Sequence, residues 1–307
     1  MDLTLDDDDA LQVYKALASD TRIDMLKLLS QNSLTVSELS QQLGYSKAII
    51  SRYMKILEDA RLVGHHKDIE AGIDGRKKLY YLAIDHIDIN LPKKIFLPYE
   101  KETQEIKLGY FSDFSVYPTC GLASASAIIG DYDEPRSFAS NNRIEATLLW
   151  FSQGYVEYII PNRVTSGIHP ELIEISLELS SEFPDSNNVW PSDISFYLND
   201  IKVGTWTVPG NFSDVRGKLT PHWWEDYLSQ YGLLKSLRIN HEDTCVDGKK
   251  ISNFTLEDLV LQESPFIKLK IAVEEDAENR GGLTIFGKDF GNHPQNILYT
   301  LYYTENV

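Results

Sequence analysis

The 307-residue chain is poor in cysteine and has no long apolar run. Cys120 and Cys245, its two cysteines, stand too far apart for a CxxC metal or redox motif, and we expect both to be reduced thiols. No segment approaches the roughly 18 consecutive apolar residues of a membrane span. The first residues, Met1-Asp2-Leu3, do not begin a signal peptide. The sequence therefore predicts a cytoplasmic protein without a membrane partner.

The motifs of the common enzyme classes are missing as well. There is no GxSxG, no HExxH, no P-loop and no Rossmann fingerprint. We therefore expect no enzyme, no cofactor and no metal centre. Asp131, Asp133 and Glu134 offer oxygens of the kind that calcium accepts, but a plain acidic loop is the favoured interpretation.

Acidic residues outnumber basic ones, and the net charge is −17. The excess is unevenly spread: residues 11–90 have a net charge of +1, whereas residues 91–307 have −13. Salt screens charges beyond about 8–10 Å, so a distant acidic segment does not exclude nucleic-acid binding by residues 11–90. All five Trp and all twelve Phe lie after residue 90, which indicates two different domains.

A helix–turn–helix pattern occupies the basic part of the chain. Thr35-Val36-Ser37-Glu38 fits a capping box, and apolar residues at helical spacing follow it as far as Leu43. Gly44 stands where that helix would end. A second helix is predicted from Ser46 to about Ala60. Its apolar residues Ile50, Met54 and Leu57 form one face and suit a core.

The opposite face of the second helix is small, hydroxylated and cationic. Small residues permit close approach to a base pair, Arg reads guanine edges, and Lys and Ser hold phosphates. The predicted contacts to double-stranded DNA on this helix are Ser46, Lys47, Ala48, Ser51, Arg52 and Lys55.

A basic hairpin follows the second helix. Asp74-Gly75 between two apolar-containing runs is a hairpin signal. The order helix, turn, helix and hairpin indicates a winged helix–turn–helix, in which the hairpin meets the DNA backbone. The predicted contacts from this wing are His65, Lys67, Arg76, Lys77 and Lys78.

The first quarter of the chain resembles ArsR-type bacterial repressors. The resemblance spans residues 10–85 and is carried by two runs, Ala16-Leu17-Ala18-Ser19-Asp20-Thr21-Arg22-Ile23 and Ser46-Lys47-Ala48-Ile49-Ile50-Ser51-Arg52-Tyr53-Met54-Lys55-Ile56-Leu57. It implies a cytoplasmic homodimer that contacts paired half-sites of an operator. We expect the helix around residues 11–17 to form the dimer interface, with the second domain as a further candidate. Residues 36–39 contain none of the metal-sensing cysteines of many members, and Tyr53 replaces the usual histidine. Metal sensing at the familiar position is therefore not expected.

Two prolines and mixed charge mark a linker near residues 89–104. The predicted organisation is an acidic leader at 1–9, a winged helix–turn–helix at 10–88, the linker at 89–104 and an effector domain at 105–307. Within the leader, Asp6 to Asp9 are expected to be solvated.

The effector domain is predicted to be an antiparallel β-sandwich of jelly-roll type, which makes the whole chain a multidomain α and β protein. Alternating apolar and polar residues, separated by turn residues, indicate nine or ten strands with little helix. The predicted strands include 105–111, 144–151, 155–160, 172–179, 194–198, 203–208, 234–240, 266–273 and 297–303. Residues 222–231 are the one segment predicted to be helical or irregular.

An aromatic-rich stretch of the effector domain suggests a saccharide site, because sugars stack their CH faces on Trp and Tyr. Trp residues of a sandwich also serve as core, and that alternative stays open for each of them. The candidate ligand contacts are Trp190, Trp206, Arg216, His222, Trp223 and Trp224. Trp150, within an apolar run, is assigned to the core.

Three features of the second half are similar to ArsR-like regulators with an all-β effector domain that govern carbohydrate genes. They are Tyr117-Pro118-Thr119-Cys120-Gly121, the stretch 216–224 and the glycine-rich segment 280–292. This resemblance implies a saccharide effector. Two alternatives remain: a β-domain that mediates oligomerisation or protein interaction, and a carbohydrate-active enzyme fused to a DNA-binding domain.

Overall fold

A computed structural model describes residues 1–4, 10–67, 78–84, 87–90, 99–165, 167–261 and 264–305. The chain divides into two units, Met1–Leu97 and Pro98–Val307. The predicted linker thus contains the boundary, but Glu100–Ile106 is a strand of the second unit, so residues 100–104 are not linker.

The first unit has four helices and five short strands among its described residues. The helices are α1 Ala10–Leu17, α2 Asp20–Gln31, α3 Val36–Leu43 and α4 Lys47–Asp59. The strands are β1 Asp2–Thr4, β2 Leu34–Thr35, β3 Val63–Lys67, β4 Lys78–Leu82 and β5 Asp88–Asn90. Strand β4 lies between β2 and β3 in an antiparallel sheet, and this is the winged helix–turn–helix arrangement.

The start of the chain is more ordered than an acidic leader would be. Strand β1 pairs in parallel with β5, and Leu3, the central residue of β1, is buried in the domain core. Burial of the apolar Leu3 side chain stabilises the packing of residues 2–4 against the domain. The predicted solvation of Asp6 to Asp9 falls on residues 5–9, outside the described residues.

The core of the first unit lies between the helices. Met25 from α2, Leu39 from α3 and Ile50, Met54 and Leu57 from α4 have no exposed surface. The predicted apolar face of α4 is thereby confirmed. Its burial fixes the helix orientation, since each such side chain contributes roughly 1.5–3 kcal/mol when taken out of water.

The regular structure described for the second unit consists of antiparallel strands and four short 3-10 helices, Leu108–Tyr110, Pro135–Ala139, Asn141–Glu145 and Leu256–Asp258. The strands are β6 Glu100–Ile106, β7 Asp113–Ala123, β8 Ile128–Ile129, β9 Leu148–Pro161, β10 Ile168–Ser180, β11 Ser192–Leu198, β12 Ile201–Val208, β13 Leu233–Ile239, β14 Thr244–Val246, β15 Lys249–Ser252, β16 Phe266–Val273, β17 Leu283–Phe286 and β18 Ile297–Glu305.

Pairing arranges these strands in two layers joined by one strand. One layer runs β12-β11-β16-β9-β7-β8 and the other runs β15-β14-β13-β10-β18-β6. Strand β17 pairs with β9 along residues 283–286 and with β10 along residues 284–286. The two layers enclose one large apolar cluster that includes Phe151, Tyr158, Phe196 and Tyr299. The predicted class, helical N-terminal domain followed by an antiparallel β-sandwich, is confirmed.

Strand β9 is longer than the sequence suggested. Residues 144–151 and 155–160 were expected to be separate strands, yet a single strand spans residues 148–161. Gly154 makes this continuity possible with a φ of +112°, and a Cβ there would lie 1.8 Å from the Ser115 carbonyl oxygen. A glycine that looked like a turn signal therefore serves close approach of two strands.

Residues 222–231, which were predicted to be helical or irregular, form successive turns without a helix. Trp224 sits in these turns and is only 4% exposed. The turns are therefore part of the folded domain rather than a loose insertion.

Candidate functional site

The turn between α3 and α4 is built from local hydrogen bonds. The Thr35 hydroxyl accepts from the Glu38 amide at 3.3 Å while the Glu38 carboxylate accepts from the Thr35 amide at 2.7 Å, which completes the predicted capping box. Gly44 ends α3 in the left-handed conformation with a φ of +73°. The Ser40 hydroxyl donates to the Tyr45 carbonyl at 2.6 Å and fixes the turn into α4.

One face of α4 is left open by the core. Its predicted DNA contacts, all exposed, are Ser46, Lys47, Ala48, Ser51, Arg52 and Lys55. Ser46 has a second task, because its hydroxyl accepts from the Ile49 amide at 3.4 Å and caps the helix. A capping hydroxyl still has its own hydrogen to donate.

Two apolar side chains share this surface and were not expected there. Tyr45, in the turn before α4, and Ile49, in its first turn, are 43% and 40% exposed. Such side chains suit the thymine methyl group in a major groove. Their exposure was readable from the helical period, since Ile49 falls outside the Ile50, Met54 and Leu57 face.

The wing residues have partners within the domain. Nδ1 of His65 lies 2.6 Å from Oε1 of Glu58, and Nζ of Lys78 lies 3.9 Å from the same oxygen. The His65 ring also packs against Tyr80. His65 is thus partly committed to holding β3 against α4. The predicted contacts Arg76 and Lys77, and the side chain of Lys67, lie outside the described residues.

Arg22 joins three helices. Its guanidinium donates to the carbonyl oxygens of Ala16 at 2.6 Å and Lys15 at 2.7 Å, at the end of α1. It also lies 5.5 Å from the centre of the Tyr53 ring on α4. The tyrosine that replaces the usual histidine therefore serves packing in this protein.

The second unit contains a cleft of about 130 Å³ near the junction strand β17. Its walls come from β7, β9, β17 and three connecting segments. The cleft is lined by Thr119, Tyr132, Asp133, Leu148, Trp150, Glu182, Phe183, Pro184, Asp185, Trp224, Leu228, Ser229 and Thr284. Of the predicted ligand residues it contains Trp224 alone.

Glu182 is the central acid of the cleft. Its carboxyl oxygens accept hydrogen bonds from the hydroxyls of Thr119 at 3.2 Å and Thr284 at 2.9 Å. Burial raises the pKa of Glu182 to about 8; the two hydroxyls act against this rise, and the charge of Asp133 adds to it. The carboxyl of Asp133 itself accepts from the Cys120 amide at 2.9 Å.

Aromatic rings also line the cleft. The rings of Trp150 and Trp224 meet edge to face with centres 5.7 Å apart, and Tyr132 lies 6.2 Å from Trp150. Trp150 is 6% exposed and Tyr132 is 57% exposed. Trp150, assigned to the core from the sequence, is therefore both core and cleft wall.

The indole N–H groups of Trp150, Trp224 and the neighbouring Trp223 differ in their hydrogen-bond partners. Trp224 donates to the Ser229 carbonyl at 3.0 Å, and Trp223 donates to the Ala125 carbonyl at 2.8 Å. Trp150 has no corresponding acceptor among the described residues. Its N–H is left for a molecule that enters the cleft.

Arg216, His222 and Trp224 come together in a second, more open depression with Glu225 and Asp226. The Arg216 guanidinium donates to the Asp226 carboxylate and to the carbonyl oxygens of Pro221 and Trp224. It therefore fixes the turns at 221–226, a structural task that the sequence did not reveal. Trp224 is shared between this depression and the cleft.

The other predicted ligand residues lie apart from the cleft. Trp206 is packed against the sandwich core and has Lys235 over its ring at 5.3 Å. Trp190 packs edge to face on Phe183 at 4.9 Å, and Phe183 lines the cleft. Trp223 is partly buried between Trp224 and Phe290. Trp206 and Trp223 are thus both partly buried side chains that pack against apolar clusters of the domain.

No group of three or more His, Cys, Asp or Glu that would hold a metal ion occurs within the part of the chain that the structure describes. Likewise, none of the described helices is long and apolar enough to cross a membrane.

Comparison with known proteins identifies the first unit. Residues 19–64 match the family described as bacterial regulatory protein, arsR family. This stretch covers α2 to the start of β3 and is an arsR-family helix–turn–helix domain. It gives the chain the DNA-binding part of a bacterial transcriptional regulator. No curated protein sequence matches the chain.

Three solved structures are similar to parts of the chain. HlyU from Vibrio cholerae N16961 is 29% identical over 25% of this chain and 76% of its own, with a TM-score of 0.22. A carbohydrate-binding module, CBM36 in complex with calcium and xylotriose, is 10% identical over 67% of this chain and 99% of its own, with a TM-score of 0.27. Dimeric latent PorU from Porphyromonas gingivalis is 9% identical over 80% of this chain and 18% of its own, with a TM-score of 0.28.

Proposed function

We propose that the protein is a transcriptional repressor that binds an operator in double-stranded DNA through the exposed face of α4. The observation that supports this most directly is the exposure of Arg52 and Lys55 on a helix whose opposite face is fully buried. Arg52 would read base edges, and Lys55 and Lys47 would hold phosphates. The wing would meet the adjoining backbone through Lys67, Arg76, Lys77 and Lys78.

The test is binding to a duplex that the wild-type protein has selected from random-sequence DNA. Arg52→Ala with Lys55→Ala should weaken binding at least about 100-fold, since each lost contact is worth about 1–3 kcal/mol. Lys27→Ala on α2 is the matched control, because its ammonium group is exposed and paired only with Asp24. Unchanged binding by the double variant would overturn the assignment of this face.

We also propose a homodimer that places two copies of α4 in successive major grooves, about 34 Å apart. Leu11 on α1 is 57% exposed, which suits an apolar contact with a second copy. Light scattering of the intact protein should give twice the chain mass. Leu11→Asp should give the single-chain mass with an unchanged circular dichroism spectrum, and a dimer that persists would move the interface elsewhere.

We propose that the β-domain senses a small ligand, a saccharide, and that the ligand changes operator binding. The cleft supports this, because it combines ring faces from Trp150 and Tyr132 with fixed polar groups from Glu182 and Thr284. Sugars present CH faces to rings and hydroxyls to such acceptors. Ligand and operator are coupled only if the ligand has different affinities for the DNA-competent and incompetent states.

The sensor proposal is tested on the full-length protein with mono- and oligosaccharides. We expect one of them to raise the melting temperature and to change the affinity for the selected duplex. Tyr132→Ala should reduce both effects, whereas Tyr110→Ala should not. The two tyrosines are 57% and 56% exposed, but Tyr132 alone lines the cleft. Absence of any response to saccharides would refute the sensor role, and turnover of a sugar would replace it with an enzymatic one.

A further inference from the structure

We propose that the cleft accepts a cationic ligand, an amino sugar in which an ammonium group faces Glu182. This inference rests on the proposed sensor function and specifies its ligand. It depends on three observations: the charge of the lining, the aromatic rings that line the cleft with the acids, and the accessible N–H of Trp150.

The cleft is lined by acidic side chains and by no basic side chain of the described residues. Asp133, Glu182 and Asp185 line it, and none of its lining residues is Lys, Arg or His among the described part of the chain. Arg216, in the adjoining depression, already donates to Asp226 and to two carbonyl oxygens. An acidic sugar would therefore meet like charge with no cation to offset it, which discriminates against that class.

Among the described residues, the hydrogen-bond donors to the Glu182 carboxyl are neutral hydroxyl groups. The hydroxyls of Thr119 and Thr284 satisfy part of its hydrogen-bonding capacity, but they bring no positive charge. A carboxylate withdrawn from water is costly unless it is paired with a cation. A ligand ammonium group would supply this missing partner.

The aromatic rings that line the cleft favour the same charge. Trp150, Tyr132 and Phe183 line the cleft together with the carboxyl groups. The negative face of an aromatic ring attracts a cation within about 6 Å, with Trp the strongest of the three. Rings and carboxylates thus act together on an ammonium group, and the rings also stack on the CH face of a sugar.

The N–H of Trp150 adds a requirement for a polar body on the ligand. Trp150 is 6% exposed, and its indole donates to no acceptor among the described residues. The indole nitrogen is not among the fully enclosed polar atoms of the described residues, so it is open to a molecule in the cleft. A sugar hydroxyl would accept this bond, whereas an alkylamine would not. The two features together distinguish an amino sugar from a plain amine.

Binding of a cation beside Glu182 would release a proton. Burial holds the pKa of Glu182 at about 8 in the empty cleft, so the carboxyl keeps its proton at pH 7. Asp133 and Asp185 face it as further acids, and the Cys120 thiol has its pKa raised to about 11 by burial and by the charges of Asp133, Glu134 and Glu182, so it stays neutral. Affinity for the ammonium ligand should therefore rise from pH 6 to pH 7 and level off above it, because the amine of the sugar loses its own proton at about pH 8.

The experiment is isothermal titration of the full-length protein with glucosamine, glucose, N-acetylglucosamine and glucuronate. We expect glucosamine to bind at least tenfold more tightly than glucose and N-acetylglucosamine, with no binding of glucuronate. Titration in two buffers of different ionisation enthalpy should show proton release at pH 7, and affinity should rise several-fold from pH 6 to pH 7 and no further by pH 8, where glucosamine loses its charge. Equal or tighter binding of a neutral or acidic sugar would overturn the inference and leave the sensor function standing.

Two variants locate the charge effect. Glu182→Gln should abolish the preference for glucosamine and the proton release, while Glu178→Gln, a buried acid of the same segment outside the cleft, should keep both. If Glu182→Gln does not fold, Asp185→Asn at the exposed rim should reduce the preference instead.

A further ligand separates the two proposals. Cyclohexylamine binding in the absence of any sugar binding would keep the cationic requirement and refute the saccharide. If neither glucosamine nor cyclohexylamine binds, the cationic ligand is refuted.

Discussion

Oε1 of Glu58 lies 2.6 Å from Nδ1 of His65, and this contact ties α4 to the first strand of the wing. Lys78 on the second strand of the wing approaches the same oxygen at 3.9 Å. The helix that carries Arg52 and the hairpin that follows it are therefore held together by one carboxylate. Both elements would meet DNA in a fixed relation.

We expect His65→Ala to reduce the stability of the N-terminal domain by about 1 kcal/mol, because it removes a partly buried hydrogen bond. Its effect on operator affinity should be much smaller than that of Arg52→Ala, since the His65 ring faces Glu58 and Tyr80. Urea unfolding and duplex titration measure the two effects. A loss of affinity as large as that of Arg52→Ala would show that His65 contacts DNA, as the sequence alone suggested.

Glu178 should make the β-domain less stable as the pH rises. Its buried carboxyl accepts from the amides of Gly232, Asn292 and His293 at 2.8–3.0 Å. Burial raises its pKa to about 7, against the opposing effect of these amides and of Lys218. The folded state therefore holds a proton that the unfolded state loses above about pH 4.5, and this favours folding most at low pH.

Stability of the β-domain should accordingly fall between pH 5 and pH 7, and Glu182 contributes in the same direction. Glu178→Gln should flatten part of this slope, at most about 3 kcal/mol from the cited shift. The measurement is chemical unfolding at several pH values, with exposed Glu225→Gln as the control. A slope that Glu178→Gln leaves unchanged would mean that the three amides keep Glu178 ionised in the folded domain.

The close approach at Gly154 predicts a large difference between two glycine substitutions. Gly154→Ala places a Cβ 1.8 Å from the Ser115 carbonyl oxygen at a φ of +112° and should cost about 3 kcal/mol or more. Gly248→Ala has a φ of +81° with nothing within 4 Å, so it meets backbone strain alone and should cost about 1 kcal/mol. Thermal unfolding checks both variants. Similar costs would show that β7 and β9 separate easily at this point.

Arg216 is expected to act on the cleft through the turns that it fixes. Arg216→Lys loses the planar group that donates to Asp226, Pro221 and Trp224 together. Limited proteolysis within 214–228 should become faster and the near-ultraviolet signal of Trp224 should weaken, with ligand affinity falling in parallel. Lost affinity with unchanged proteolysis and spectrum would instead make Arg216 a ligand contact.

The helical half of the fold followed from the sequence because its signals are local. The capping box at Thr35, the stop at Gly44 and the spacing of Ile50, Met54 and Leu57 each act within a few residues. The wing partners did not follow, since Glu58 and His65 pair across a change from helix to strand. A basic cluster indicates positive charge, but it does not show which charges the domain itself neutralises.

The cleft was not predictable for a different reason. Thr119, Trp150, Glu182 and Thr284 come from segments more than 30 residues apart, and the pairing of β7, β9, β10 and β17 brings them together. Their local signals were weak, because an acid after a strand and a Trp in an apolar run have ordinary explanations. The paired Trp223 and Trp224 drew attention by composition, yet Trp224 alone lines the cleft.

The pairing of β6 with β18 has a consequence for the order in which the two domains fold during synthesis. Strand β6 at residues 100–106 cannot pair until residues 297–305 have been synthesised. Strand β17 at residues 283–286, which joins the two layers, is synthesised only shortly before residues 297–305. Contacts of such long sequence separation form slowly. The N-terminal domain can fold while the ribosome is still translating, whereas β6 to β16 emerge with unpaired edges. During synthesis, the N-terminal domain proposed to bind DNA would therefore fold well before the β-domain proposed to control it.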